Sequence, residues 1–230
     1  MLFEKFKSQV PSNDELCRRV SGRILTGKTK EEIKGNFSNI LDLMQNKIYE
    51  EYLKAQEKIG QETIDDRLQN TGRIEYNELD KFFLSISQSR KSRAGSAFEF
   101  IIREMLIRLE YPFSEQVVIG GAKPDYVLPS KQYFLEKPLD SILLTAKRTL
   151  RERWRQIVTE ANKAYGYFLA TIDKKVSQNQ IKQASEHKVY LVVPISIKQS
   201  IEHYNTAYNV ISFENFFENH LDPAMKRWKL

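Results

Sequence analysis

Four apolar runs, separated by segments with helical patterning, occupy the C-terminal half of the chain: Ser141–Ala146, Tyr167–Ile172, Val189–Val193 and Asn209–Ile211. Short runs rich in aliphatic, β-branched and aromatic residues are typical of buried strands. Strands that alternate with helices build α/β sheets. We therefore predict an α/β core in which helices flank a central sheet.

A glycine pair adds an antiparallel element to this sheet. Gly120-Gly121 lies between the runs Gln116–Ile119 and Tyr126–Leu128, which is the pattern of a hairpin. The hairpin leads into the run Ser141–Ala146. The predicted sheet is therefore mixed, with antiparallel and parallel pairs.

The N-terminal third carries helical signals. Ser12 and Asn13 can cap a helix over roughly Asp14–Leu25. Thr29 and Glu32 form a capping-box pattern ahead of a long periodic segment. We therefore predict a helical region before the α/β core.

Glycine and other small residues are expected to interrupt these helices. Gly60 and Gly72 break the apolar period. Ser89–Ser96 is basic and rich in small residues, and we expect a loop there before a helix over 97–109. Such a stretch suits a phosphate clamp, because arginine, serine and helix N-terminal amides bind phosphate oxygens. A solvated loop without a ligand is the alternative.

Composition limits the class of protein. The formal charge of +6 and the isoelectric point near 9.2 suit a polyanionic partner, although many soluble proteins are as basic. The single cysteine, Cys17, excludes an intramolecular disulfide framework and a cysteine-based zinc site. No apolar stretch approaches membrane-spanning length, and the first residues lack the hydrophobic segment of a secretion signal. We expect an intracellular protein.

Three charged residues lie at spacings that suit phosphodiester hydrolysis. Asp125 precedes one predicted strand, Lys147 follows the next, and Glu160 lies in a helix predicted over residues 149–165. Carboxylates are ligands for Mg²⁺, and lysine brings positive charge to a phosphate. Each residue alone has an ordinary explanation, as a turn cap, a salt-bridge partner or a surface charge. Their joint occurrence favours a metal-dependent nuclease.

A charged triplet, Arg151-Glu152-Arg153, follows closely after Lys147. Arginine can donate twice to guanine, and glutamate can accept from cytosine N4, so the triplet suits G·C pairs read from the major groove. The alternative is an ordinary charged helix surface.

The segment Thr145–Gln156 resembles the active-site and recognition segment of the PD-(D/E)xK nuclease superfamily. Within it, the resemblance is to the group of type II restriction endonucleases that includes the EcoRII catalytic domain, PspGI and SsoII. In that group the second acidic ligand lies in the following helix, which matches Glu160 here, while Thr145 stands at the place two before the lysine.

This resemblance implies a restriction-endonuclease-like fold, Mg²⁺ as the cofactor and a set of site residues. Asp125 and Glu160 would be the metal ligands, and Lys147 would orient the attacking water. Glu99 matches a further catalytic glutamate in the upstream helix. The triplet would read a CC:GG half-site.

The resemblance also implies partners and a location. A homodimer would cut both strands of double-stranded DNA at a CCNGG- or CCWGG-like site and leave 5′-phosphates, with central nucleotides flipped out. Arg23, Phe37 and Tyr49 are candidates for the pocket that receives them. A cognate DNA methyltransferase would protect host DNA in a prokaryotic cytoplasm.

The change from helical to strand patterning along the chain gives a domain assignment. Residues 1–90 are assigned to a helical region that contacts DNA or mediates dimerisation, and residues 91–230 to the nuclease core, together in one compact unit. Four basic residues are candidates for phosphate contacts: Arg90, Lys91, Arg93 and Lys123. Two alternatives remain open, a structure-selective or repair nuclease of the same superfamily and a non-catalytic DNA-binding module.

Overall fold

The computed structural model describes residues 2–119, 123–150 and 167–228. Its N-terminal part is helical. The helices there are α1 (Leu2–Gln9), α2 (Asn13–Leu25), α3 (Lys30–Gly35), α4 (Phe37–Thr71) and α5 (Tyr76–Arg108). The predicted N-terminal helical region is confirmed.

Both predicted helix starts carry caps, and the cap of α2 is Ser12, because Asn13 is already the first residue of the helix. The Ser12 hydroxyl accepts a hydrogen bond from the Glu15 N–H at 3.1 Å at the start of α2. Thr29 and Glu32 form a complete capping box at the start of α3. The bond from the Thr29 main-chain N–H to the Glu32 carboxylate, 2.7 Å long, lowers the pKa of that carboxyl.

Two predicted interruptions of the helices are wrong. α4 continues through Gly60 and ends before Gly72, whose φ of 71° is left-handed. A glycine inside a helix costs only about 1 kcal/mol, which packing along a helix of this length offsets. α5 continues through the whole of Ser89–Ser96. There the Asn13 side chain donates to the carbonyl oxygen of Arg93 at 2.8 Å, a tertiary contact that local composition does not reveal.

Six strands among the described residues form one sheet. They are β1 (Ser114–Glu115), β2 (Tyr126–Leu128), β3 (Ile142–Ala146), β4 (Tyr167–Ala170), β5 (Val189–Val193) and β6 (Val210–Ser212). Their order in the sheet follows their order in the chain. The pairs β1–β2 and β2–β3 are antiparallel, and the pairs from β3 to β6 are parallel. The predicted mixed sheet is confirmed.

The first strand differs from its predicted position. The strand lies at Ser114–Glu115, where the sequence favoured Gln116–Ile119. Gln116 has a left-handed φ of 51°, which ends the extended run, and its N–H donates to the carbonyl oxygen of Asp125 at 3.1 Å. The glycine pair of the predicted turn lies outside the described residues.

Every residue of β3 and β4 is buried, as expected for strands covered on both faces. The remaining described helices are α6 (Lys131–Glu136), α7 (Gln178–Glu186), α8 (Ile195–Ser200), α9 (Glu202–Asn205), α10 (Phe213–Phe216) and α11 (Asp222–Trp228), with a 3₁₀ turn at Pro138–Asp140 and a π-helical turn at Phe217–Leu221. None of the described helices has the length and apolar character that crossing a bilayer requires.

The chain divides into two compact units. The first comprises Met1–Thr26 and Leu43–Ile101. The second comprises Gly27–Asp42 and Ile102–Leu230, and it contains the sheet. The assignment of DNA contacts or dimerisation to residues 1–90 stays a prediction.

Candidate active site

Strands β2 and β3 bring Asp125 and Lys147 together. The two strands are antiparallel, with Tyr126 opposite Leu144. Asp125 directly precedes β2 and Lys147 directly follows β3, so both lie at the same end of the sheet. The Lys147 Nζ atom is 3.1 Å from Oδ1 and 3.0 Å from Oδ2 of Asp125. The proximity predicted from the sequence is confirmed, whereas the catalytic roles stay predictions.

The main chain of the sheet fixes both residues of this pair. The Ala146 N–H donates to Oδ2 of Asp125 at 2.8 Å. The Lys147 N–H donates to the carbonyl oxygen of Ala170 at 2.9 Å and so extends the pairing of β3 with β4. The Lys147 and Asp125 side chains are 17% and 22% exposed. This exposure leaves the pair open to a ligand from solution.

Asp125 offers oxygen atoms of the kind that a hard divalent ion binds. Proteins usually hold Mg²⁺ through one or two carboxylates, with water and substrate phosphates as the other ligands. The partly exposed Asp125 carboxylate fits one such position. Glu160, the second predicted ligand, lies outside the described residues. In the ranges that the structure describes, no group of three or more His, Cys, Asp or Glu side chains is arranged to hold a metal.

The loop after β4 forms hydrogen bonds with the main chain that follows Lys147. One carboxylate oxygen of Asp173 accepts from the Leu150 N–H at 2.9 Å, and the other accepts from the Lys175 N–H at 2.9 Å. Asp173 is buried. It is not among the predicted site residues. The available signal is its position directly after an apolar run, because the carboxyl ends of parallel strands share one edge of a sheet.

The predicted recognition triplet, Arg151, Glu152 and Arg153, also lies outside the described residues. The position two before the lysine is described. Thr145 is buried there, and its hydroxyl contacts the hydroxyl of Tyr167 inside the sheet. The side chain at this position is therefore a core residue, which agrees with an acidic ligand placed elsewhere.

Four predicted site residues lie on α5 in the first unit: Arg90, Lys91, Arg93 and Glu99. The expected loop with helix N-terminal amides is wrong here, because the helix is continuous. Arg93 Nη1 donates to the carbonyl oxygen of Pro11 at 2.7 Å, and the guanidinium lies 4.8 Å from the ring centre of Tyr52. Burial lowers its pKa. Arg93 thus has structural contacts. The phosphate contacts of Arg90, Lys91, Arg93 and the exposed Lys123 stay predictions, and so does the catalytic role of Glu99.

The three candidates for a nucleotide pocket differ in exposure. Phe37 is 2% exposed, and its ring packs against Phe213 and Phe217, each with centroids 4.8 Å away. Phe37 is therefore a core residue of the second unit, which argues against a nucleotide contact. Tyr49 and Arg23 lie in the first unit, where Tyr49 is exposed.

The sequence is similar to known restriction enzymes. The family model described as EcoRII C terminal matches residues 55–217. The chain is 34% identical to the type II restriction enzyme EcoRII of Escherichia coli over 130 residues, which cover 53% of this chain and 32% of that enzyme. It is 30% identical to the type II restriction enzyme SsoII of Shigella sonnei over 154 residues, which cover 62% of this chain and 50% of that enzyme. The matched region thus spans about a third of the length of EcoRII and half of the length of SsoII.

Solved structures share the fold. Metal-depleted Ecl18kI in complex with uncleaved DNA has a TM-score of 0.82 at 22% identity, over 99% of this chain and 83% of that chain. The complex of restriction endonuclease PspGI with substrate DNA has a TM-score of 0.73 at 20% identity, over 97% of this chain and 96% of that chain. The predicted restriction-endonuclease-like fold and the family resemblance are both confirmed. With its family match covering well over half of its length, the chain belongs to the EcoRII C-terminal family.

Proposed function

We propose that the protein is a type II restriction endonuclease that hydrolyses double-stranded DNA with Mg²⁺. The observation that carries the proposal is the contact between Asp125 and Lys147 at one end of the sheet, in a chain of the EcoRII C-terminal family. The activity is that of the named relatives EcoRII and SsoII. It is a proposal for this chain, which spans only part of their lengths.

The residues of the pair have separate roles in hydrolysis. Bound Mg²⁺ supplies positive charge at the phosphate and makes water more acidic. Asp125 and Glu160 would hold the ion, and the Ala146 N–H keeps the Asp125 carboxylate oriented. The Lys147 ammonium orients the attacking water and offsets the charge that develops on the pentacoordinate phosphate. The oxygen of the water attacks phosphorus directly, the P–O3′ bond breaks, and the 3′ oxygen takes up a proton and leaves as a hydroxyl. The products carry a 5′-phosphate and a 3′-hydroxyl, and no covalent intermediate forms.

Sequence reading is assigned to the triplet that follows. Arg151 and Arg153 donate to guanines, and Glu152 accepts from cytosines, which specifies CC and GG in a CCNGG- or CCWGG-like site. One triplet per chain serves one half-site, so a homodimer reads the pseudopalindrome and cuts both strands. The central nucleotides of the site would be flipped out of the helix.

The biological setting follows from the same proposal. A cognate DNA methyltransferase modifies the host's own sites and needs no direct contact with this protein. The named relatives come from bacteria. We therefore place the enzyme in a prokaryotic cytoplasm.

The test is cleavage of two matched duplexes, one with CC and GG and one with those pairs exchanged for A·T, each in Mg²⁺ and in EDTA. We expect double-strand cuts only in the CC/GG duplex and only with Mg²⁺, and sequencing of the ends gives the site and the cut position. The Lys147→Ala protein, purified in parallel, controls for contaminating nuclease. Equal cleavage of both duplexes would favour a structure-selective or repair nuclease. Binding without cleavage would favour a DNA-binding module.

A further inference from the structure

The segment that joins Lys147 to the triplet is anchored at Leu150. Strands β3 and β4 are parallel, with Ala146 opposite Ala170, so the chain leaves both strands at the same edge. The Leu150 N–H donates to Oδ2 of Asp173 at 2.9 Å, and the Leu150 side chain is 1% exposed. A main-chain bond and a buried side chain thus fix the residue directly before Arg151.

Asp173 is itself held by its surroundings. Its Oδ1 accepts from the Lys175 N–H at 2.9 Å. The Tyr204 hydroxyl donates to the Asp173 carbonyl oxygen at 2.7 Å and accepts from the Val176 N–H at 3.0 Å. Burial raises the pKa of Tyr204 to about 12, so the hydroxyl stays a donor at neutral pH. The carboxylate that holds Leu150 therefore belongs to an ordered loop.

A second contact joins the same two segments. The Thr171 hydroxyl donates to the carbonyl oxygen of Arg148 at 3.4 Å, and it also accepts from the Asp173 N–H at 3.1 Å. The loop after β4 therefore contacts the chain at Arg148 and at Leu150, which both lie between Lys147 and the triplet. Because this connection is short, a shift of Arg148 or Leu150 would disturb both Lys147 and the triplet.

We propose that Asp173 is a positioning residue that, through the Leu150 N–H, sets the triplet for base reading and couples it to Lys147. The inference rests on the proposed function. A bond between a carboxylate and an amide is stronger than one between neutral groups, which suits a fixed support. Bidentate base contacts tolerate only small displacements, so a support one residue away affects specificity before it affects affinity for DNA in general.

The test measures the dissociation constants for the CC/GG duplex and the A·T-exchanged duplex in EDTA, where no cleavage occurs. We expect Asp173→Ala to lower the ratio of the two affinities by about tenfold, which is the loss expected from one weakened base contact. Affinity for the exchanged duplex should stay close to that of the wild type. Asp173→Asn keeps one acceptor oxygen, so its ratio should lie between those of wild type and Asp173→Ala.

The matched control is Tyr204→Phe, which removes two hydrogen bonds from the same loop and keeps the bond between Leu150 and Asp173. We expect a lower melting temperature and an unchanged affinity ratio for this variant. An equal fall in the ratio for Tyr204→Phe and Asp173→Ala would overturn the inference, because loop stability alone would explain both.

Three further outcomes separate the inference from the proposed function. A folded Asp173→Ala protein with a wild-type ratio overturns the inference and leaves the proposed function intact. If Asp173→Ala does not fold, Asp173→Asn decides, and a wild-type ratio there also overturns it. A wild-type protein that shows no preference between the duplexes removes the CC:GG assignment, and the inference with it.

Discussion

The main-chain N–H of Ala146 donates a hydrogen bond of 2.8 Å to Oδ2 of Asp125. Ala146 is the last residue of β3, whose residues are all buried. A buried strand therefore orients the carboxylate that we propose as a metal ligand. Preformed geometry of this kind places a ligand without rearrangement when substrate arrives.

Asp125→Asn should abolish cleavage in Mg²⁺ and keep the fold. The asparagine oxygen can still accept from the Ala146 N–H, but the neutral amide is a poor ligand for Mg²⁺. Removal of a negative charge also reduces repulsion of phosphate, so DNA affinity in EDTA should stay the same or rise. Cleavage rates and dissociation constants of the variant and the wild type check this. Normal cleavage by the variant would remove Asp125 from the site.

Lys147→Ala should lose turnover with little loss of stability. The Lys147 side chain is partly exposed, and the Asp125 carboxylate that it contacts keeps its hydrogen bond from the Ala146 N–H when the ammonium is removed. Lys34→Ala is the matched control, because Lys34 contacts Asp222 at 2.7 Å in the same unit with similar exposure. The control should cleave normally. A much larger fall in melting temperature for Lys147→Ala than for Lys34→Ala would indicate a structural role.

The proposed roles of Glu160 and Glu99 can be compared by substituting each with alanine. Glu160→Ala should be nearly inactive, because the substitution removes a proposed metal ligand. Glu99→Ala should retain more activity than Glu160→Ala if Glu99 acts indirectly and does not bind the metal. Single-turnover cleavage rates with saturating enzyme measure both. Wild-type cleavage by Glu160→Ala would mean that another acid completes the site.

Asp140 should contribute to stability in a pH-dependent way. Burial raises its pKa, but hydrogen bonds from Arg227 Nε and the Tyr133 hydroxyl, each 2.8 Å long, outweigh burial and hold the pKa below its usual value. A depressed pKa stabilises the fold above the unfolded value, about 3.9, and this contribution is lost as pH falls through the folded pKa. Asp140→Asn should therefore melt lower than wild type at neutral pH.

The difference in melting temperature between Asp140→Asn and wild type should narrow as pH falls below about 4. Thermal unfolding of both proteins between neutral pH and about pH 3 measures it. Glu218→Gln, at an exposed position of the same unit, is the control for loss of a surface carboxylate. A difference that stays constant across this range would assign the effect to packing instead of ionisation.

Local patterns predicted the parts of the fold that depend on local burial. Strands β3, β4 and β5 lie where the apolar runs placed them, because a strand covered on both faces needs apolar residues at every position. The proximity of Asp125 and Lys147 could also be predicted, because each residue adjoins a recognisable strand and the two strands are consecutive in the chain.

Contacts between distant parts of the chain could not be predicted in this way. Leu150 and Asp173 are separated by 23 residues, and their bond depends on the parallel pairing of β3 with β4. Asn13 contacts the main chain at Arg93 across 80 residues, within a stretch whose composition alone favoured a loop. The left-handed φ of Gln116 likewise has no signature in an apolar run.

The role of the triplet can be tested by measuring how the DNA affinity of its alanine variants depends on DNA sequence and on salt. If Glu152 accepts from cytosines, Glu152→Ala should lose about 1–3 kcal/mol of specific binding per base contact, with no recovery at low salt. Removal of an arginine that contacts phosphate would instead weaken binding to all duplexes alike and reduce the salt slope by about one, because counterion release supplies that part of the affinity.

Salt titrations of binding to the CC/GG duplex and the A·T-exchanged duplex separate these cases for Arg151→Ala, Glu152→Ala and Arg153→Ala. Lys123→Ala serves as the reference for a phosphate contact, since Lys123 is exposed and lies two residues before Asp125. We expect the three triplet variants to lose affinity for the CC/GG duplex only, and the reference to lose affinity for both. Equal loss on both duplexes for all three variants would mean that the triplet contacts only the DNA backbone, and the CC:GG assignment would then be wrong.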